Sequence, residues 1–227
     1  MRIVTTYPPK DWDIYVKRNI ESWVDNLDAE IIVYAEDDRG RIPGTETRAL
    51  GEVSGVKEFL RTIRAFPPAH GQFGNKYDYN FDAWKFCRKV FAQFDAAQGY
   101  DGLLVWLDAD VECLQPITEE RLASMVNTVG LYQRKDYHSE CGIVLFNLPA
   151  AQGLMMAYRN LYTSGYIFRY PMGWHDCWAL DLAIERLDVK ADNLSPQLSE
   201  GLEVVSASVL GPYFRHDKGQ RKYARTG

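Results

Sequence analysis

The sequence predicts an α/β protein with a mixed, mostly parallel central sheet flanked by helices, in a single domain spanning residues 1–227. Three observations carry that prediction. Leu103 to Leu107 is an unbroken apolar run, too short for a helix and preceded by Asp101-Gly102, which is how a strand buried on both faces reads. A β-branched run at 2–7, a helical apolar period at 11–27 and a second strand pattern at 30–35 form a βαβ unit. That unit implies parallel pairing and a right-handed crossover. The 227 residues are enough for one large core, and no repeat, low-complexity run or linker divides them.

Taken in order, Arg2 to Tyr7 is the first strand, stopped by Pro8-Pro9. Ile14, Ile20, Trp23, Val24 and Leu27 fall near helical spacing across 11–27, and Glu30 to Ala35 is the second strand. Residues 36–55 are polar and glycine-rich, Val56 to Ala65 reads as a helix, and 66–80 is a loop rich in aromatics that contains His70. Asn80 to Gln98 is the clearest helix, with Phe81, Trp84, Cys87, Val90, Phe91 and Phe94 as its apolar stripe and Lys85, Arg88 and Lys89 beside it. After the central strand, Thr118 opens a short helix with Glu119 and Glu120 in its first turn. Strands are expected at 130–132 and 142–148, helices at 149–162 and 177–187, and a last strand at 202–209. A basic tail closes the chain.

Composition limits the function classes. Hydrophobic residues at 46% and charged residues at 25% are ordinary for a soluble globular protein. A net charge of −5 does not advertise nucleic-acid binding. No stretch approaches a membrane span, and the opening MRIVTTYPP lacks the form of a signal peptide, so the cytoplasm is the expected location. Cys87, Cys113, Cys141 and Cys177 contain no CxxC pair, which argues against a zinc knuckle or disulfide framework. Residues 211–227 carry five basic side chains against Asp217 alone, a pattern of either a solvated end or a local anion site.

The chemistry concentrates where the central strand ends, at Asp108-Ala109-Asp110. In extended backbone these carboxylates share a side, and ligand sites in open α/β sheets lie outside the carboxyl ends of strands. Two adjacent carboxylates need a cation or a proton between them. A hard divalent ion that also holds phosphate oxygens fits, although an Asp pair also serves as turn and cap residues. At the far end lies His216-Asp217-Lys218-Gly219-Gln220-Arg221-Lys222. Its imidazole suits manganese, its glycine admits a phosphate close to the backbone, and Lys222 offers a point charge.

Together, LDAD at 107–110 and HDKGQRK at 216–222 resemble the GT-A glycosyltransferases, whose fold is Rossmann-like. The likeness is greatest to the retaining family that includes glycogenin and the bacterial lipopolysaccharide galactosyl- and glucosyltransferases. Where that family commonly has Pro-Trp after the lysine, this chain has Tyr223-Ala224. The resemblance implies that Asp110 and His216 ligate Mn2+ or Mg2+, that Asp108 touches metal and ribose, and that Gly219 and Lys222 hold the donor diphosphate. It implies that Thr5, Thr6, Tyr7 and Asp37 or Asp38 meet the nucleoside, and that Lys89 steadies the donor. Glu140, in Ser139-Glu140-Cys141-Gly142, falls at the transferred sugar. Asp176, in Trp174-His175-Asp176, is the best candidate for the catalytic carboxylate at the acceptor. The donor implied is a nucleotide-diphosphate sugar such as UDP-glucose or UDP-galactose.

Other readings stay open at this stage. A nucleotidyltransferase also puts metal-binding carboxylates on an α/β sheet, but Arg2 to Lys10 has no GxG loop for a triphosphate. A nucleotide-sugar binding module or a degenerate transferase would keep the same motifs. The acceptor is a glycan, a lipid-linked sugar, a protein side chain or a modified DNA base.

Overall fold

The computed structural model describes residues 1–36, 41–135, 137–195, 204–219 and 223. Its N-terminal part comprises β1 (Arg2–Tyr7), α1 (Lys17–Asn26), β2 (Glu30–Ala35), β3 (Glu46–Ala49) and α2 (Val56–Ile63). The short hairpin β4 (Gln72–Phe73) and β5 (Lys76–Tyr77) then leads to α3 (Ala83–Ala97), β6 (Leu103–Leu107) and β7 (Val111–Cys113). Beyond these come α4 (Glu119–Ala123), β8 (Val129–Tyr132), β9 (Glu140–Asn147), α5 (Gln152–Thr163), α6 (Asp176–Arg186), β10 (Ala191–Asn193) and β11 (Phe214–His216).

Alternation along the strands explains how these elements stack. In β6, Leu104 and Trp106 enter one apolar cluster while Leu103, Val105 and Leu107 enter another. β2 repeats the pattern, with Ile32 and Tyr34 on one side and Ile31, Val33 and Ala35 on the other. A period of two with both sets apolar requires cover on both faces of the sheet. Residues of α2, α3, α5 and α6 form the first cluster, and those of α1 and α4 join the second. Each fully buried aliphatic or aromatic side chain contributes about 1.5–3 kcal/mol, so the central strands anchor the molecule.

The sheet has seven strands in the order β10-β8-β9-β6-β1-β2-β3. β1 pairs in parallel with both β2 and β6, while β9 runs antiparallel to β6 and β8. The sheet is therefore mixed and mostly parallel, as the sequence predicts. A separate two-stranded ribbon joins β7 to β11 antiparallel, pairing Cys113 with Phe214 and Val111 with His216.

Six of these strands escape the sequence patterns: β3, β4, β5, β7, β10 and β11. None exceeds four residues, too short to display a period. One expectation is overturned. Residues 204–209, read as part of a strand at 202–209, form successive turns; residues 202 and 203 lie outside the described residues. Ser208 explains the difference for its part, since its hydroxyl donates to the Val205 carbonyl and accepts from the Leu210 amide, a local arrangement that competes with a ladder. Among the described residues, no helix is long and apolar enough to cross a membrane.

Candidate active site

The Asp108–Asp110 segment is not extended. It makes a tight turn in which the Val111 amide donates to the Asp108 carbonyl at 2.8 Å. Helix α1 fixes that turn with side chains. Asn19 Nδ2 donates to the Ala109 carbonyl at 2.9 Å, Trp23 Nε1 donates to the Val111 carbonyl at 2.9 Å, and Ser22 Oγ accepts from the Cys113 amide at 3.0 Å. Buried backbone groups that leave a ladder need such partners. The two carboxylates converge all the same.

His216 reaches them through the ribbon. Its register opposite Val111, the Asp217 amide donating to the Asp110 carbonyl at 3.1 Å, and the Arg215–Glu112 ion pair hold β11 against the end of β7. His216 Nε2 then lies 3.0 Å from Asp110 Oδ1 and 4.0 Å from Asp108 Oδ2. The ligating atoms of Asp108, Asp110 and His216 all fall within 4.8 Å of one another. Burial would pull the imidazole pKa down, but Asp110, Glu140 and Asp108 outweigh it and raise it.

Gly142 makes room for that ring. A Cβ at this position would sit 2.2 Å from His216 Cε1, a distance no side chain tolerates. Glu140, two residues earlier on β9, accepts from the Gly142 amide at 3.1 Å and pairs with Lys218. Its carboxylate lies 3.8 Å from His216 Nδ1, too far for a hydrogen bond, and Nδ1 makes none among the described residues. Burial would raise the Glu140 pKa, yet Lys218 and His216 bring it below the ordinary range.

Lys89 is buried on α3 and ties two acids together. Its ammonium meets Asp108 Oδ1 at 3.1 Å, Asp176 Oδ2 at 2.8 Å and the Cys141 carbonyl. Three acceptors match its three N–H groups. Burial would lower its pKa, but Asp108 and Asp176 hold it well above normal. Trp106 Nε1 also donates to Asp108 Oδ1 at 2.6 Å, so Asp108 spends that oxygen inward and turns Oδ2 towards His216.

Asp176 opens α6. His175 caps the helix, its Nδ1 accepting from the Cys177 amide at 3.2 Å, and Tyr158 donates to the Asp176 carbonyl at 3.1 Å. Burial would raise the Asp176 carboxyl pKa, but Lys89 and His175 lower it, and a helix N-terminus favours an anion as well.

These groups line a cavity of about 700 Å³, which contains Lys89, Asp108, Asp110, Glu140, Asp176, His216 and Gly219 in its wall. A second cavity of about 210 Å³ shares Lys85, Phe86, Lys89, Asp108 and Asp110 with it and continues to Thr6, Asp11 and Tyr15. Of the residues expected at the nucleoside, Thr6 lines this smaller cavity, although its hydroxyl donates to the Tyr34 carbonyl at 2.8 Å. Thr5 is fully buried, and Tyr7 is packed in the core with its ring 5.0 Å from Trp12; neither is in the wall of either cavity. Asp37, Asp38 and Lys222 lie outside the described residues. Glu36, next to the expected acids, does line the smaller cavity and pairs with Arg88 at 3.4 Å.

The other wall of the large cavity is made by Tyr79, Phe86, Arg134, Tyr137, His138 and His175, of which only His175, in Trp174-His175-Asp176, falls in a stretch that the sequence resemblance places at the site. The aromatic density of 66–80 and the polar run 133–141 were the available signals, but neither has a period to read. The donor set of Asp108, Asp110 and His216 itself suits manganese or magnesium: two hard carboxylate oxygens and one nitrogen, aimed at a common point.

No protein-family model matches the chain, and no curated protein matches it in sequence. Its fold is similar to mouse xyloside xylosyltransferase 1 in its apo form, with a TM-score of 0.57 and 10% identity over 97% of this chain and 98% of that one. It is also similar to a glycosyltransferase involved in glycosylation of the major capsid of PBCV-1, with a TM-score of 0.52 and 13% identity over 99% and 95%. At this identity the likeness is one of fold, the mixed sheet of GT-A type.

Proposed function

We propose that the chain is a metal-dependent glycosyltransferase that moves a hexose from a nucleotide-diphosphate sugar to an acceptor hydroxyl. The observation that carries this reading is the convergence, at the carboxyl end of β6, of Asp108 and Asp110 with His216, which lies 106 residues beyond Asp110 in sequence. In the reaction the anomeric C–O bond to the diphosphate breaks, a C–O bond to the acceptor oxygen forms, and the acceptor hydroxyl releases its proton.

Mn2+ or Mg2+ held by Asp108, Asp110 and His216 would supply positive charge against the charge that develops on the departing diphosphate. The chain's own residues do the rest. Thr6 and Glu36, around the smaller cavity, receive the nucleoside. Lys218, beside Glu140, and Gly219, where a Cβ would meet nothing within 4 Å, face the diphosphate, with Lys222 following in sequence.

Asp176 stays ionised at neutral pH because the Lys89 ammonium beside it holds its pKa low. A depressed pKa makes a poor general base, which works best near the operating pH. Asp176 is better suited to face the positive charge developing at the anomeric carbon and to orient the acceptor hydroxyl, which favours retention of configuration. Lys89 acts through others: it fixes Asp108 and Asp176 at a set separation, and its three N–H groups are already engaged. UDP-glucose or UDP-galactose is the donor proposed, on the likeness of the two motifs. Four free cysteines suit the cytoplasm.

Thermal unfolding with a panel of nucleotide sugars, with and without manganese, tests the reading on the native chain and on Asp110→Ala. One nucleotide sugar with metal is expected to raise Tm selectively, and Asp110→Ala to abolish that rise. No shift with any donor at saturating metal would overturn it.

A further inference from the structure

The end of the large cavity away from the acids is built from rings. Tyr79 stacks on His175 with centroids 5.8 Å apart and planes at 23°. His175 meets His138 edge to face at 4.4 Å, and His138 packs against Tyr137 at 4.1 Å. A hydrogen bond of 2.7 Å between the Tyr79 and Tyr137 hydroxyls closes the circuit. The two tyrosines belong to segments 58 residues apart, so the box is a tertiary construction. Its floor is buried, with His175 at 2% and His138 at 5% exposure, while its rim is open, with Tyr79 at 44% and Tyr137 at 45%.

The box is held in shape from behind. The amides of Trp174 and His175 both donate to the Asn80 carbonyl, at 2.6 and 3.1 Å, which ties the Tyr79 turn to the start of α6. The Arg134 guanidinium lies 4.5 Å over the Tyr137 ring, and its Nε donates to the His138 carbonyl at 2.8 Å. Two half-exposed tyrosines fixed this firmly at a cavity mouth serve binding better than packing.

We propose that this aromatic box is the acceptor subsite and that its occupant is a saccharide, one pyranose ring of which stacks on Tyr79 and Tyr137. The inference rests on the transferase reading for the name acceptor. The box lines the large cavity and is absent from the smaller one, where the nucleoside is assigned. The occupant therefore sits across the acids from the donor base. A pyranose has an apolar C–H face and a rim of hydroxyls. Ring faces match the former; the tyrosine hydroxyls and Arg134 match the latter. The floor suits an uncharged ligand, because both histidines are buried and neutral near pH 7. A net charge of −5 disfavours a phosphate backbone, and a plate on the scale of one sugar ring is not a groove for an extended peptide.

Saturation-transfer NMR on the full chain tests the proposal without requiring turnover. The probes are the methyl pyranosides of glucose, galactose and mannose, with a short acidic peptide and a single-stranded DNA oligonucleotide for comparison. At least one pyranoside is expected to bind through the protons of one ring face. Tyr79→Ala and Tyr137→Ala should each weaken it about tenfold, the value of one aromatic stacking contact, and Tyr79→Trp should retain it. With turnover, the same variants should raise the acceptor KM far more than the donor KM. No pyranoside binding by the native chain, binding unaltered in both alanine variants, or rim-dependent binding of the peptide or DNA instead would each overturn it. Failure of the nucleotide-sugar thermal shift would instead strike the transferase reading and leave the pyranoside result standing by itself.

Discussion

At one end of the large cavity every charge is answered by another: Lys89 by Asp108 and Asp176, Glu140 by Lys218, His216 by Asp110. At the other end Tyr79, His175, His138 and Tyr137 touch ring against ring, and the imidazoles are kept neutral. The first arrangement is interlocked, since removing one partner strands the rest in a buried place. The second is a set of contacts each worth about 0.5–1.5 kcal/mol, so it degrades piecemeal. Under the proposed reading the interlocked end holds fixed anions beside the reacting centre and the aromatic end receives the acceptor at the mouth.

The contrast predicts a ranking. Lys89→Met keeps the stem and removes the charge, leaving Asp108 and Asp176 uncompensated; urea titration should show a loss of about 3–5 kcal/mol. A loss under about 1 kcal/mol would show that the charged end is not interlocked. Gly142→Ala forces His216 aside and should cost about 1–3 kcal/mol, together with the manganese-dependent rise in Tm. If the manganese effect survives, His216 is not a ligand.

The aromatic end should respond to acid instead. Burial brings the His138 pKa from 6.5 down to about 4, with His175 and Arg134 adding to the effect. The folded chain then binds fewer protons than the unfolded chain between those values. Stability is full above the unfolded pKa and falls as pH drops from 6.5 towards about 4. His138→Gln should flatten that part of the stability–pH curve; an unchanged slope would mean the folded imidazole is charged. Smallest of all, Tyr79→Phe removes one exposed hydroxyl contact and should shift the urea midpoint by less than about 1 kcal/mol.

The two ends also differ in how legible they are in the sequence. Asp108, Asp110 and His216 stand out because acids at a strand end and a His with a following glycine carry local patterns, whereas Asp176 enters only through the family resemblance. The βαβ unit and the central strand are read from periods of two and 3.6. The aromatic box has neither: Tyr79 and Tyr137 lie in loops, and only tertiary packing brings them together. Lys89, expected from the resemblance to steady the donor, instead joins Asp108 to Asp176, a pairing the sequence does not show because Asp176 is contributed by a helix far along the chain. Tyr7 illustrates the opposite failure. Its place after the first strand suggests a nucleoside contact, yet alternation directs its ring into the core against Trp12.

The ribbon of β7 and β11 sets the order in which function appears during synthesis. Every strand of the seven-stranded sheet has been made once Asn193 is added, but the imidazole that completes the donor set comes only with residue 216. A nascent chain can thus assemble its sheet and bring its acid pair to the end of β6 before the imidazole that faces that pair has been made.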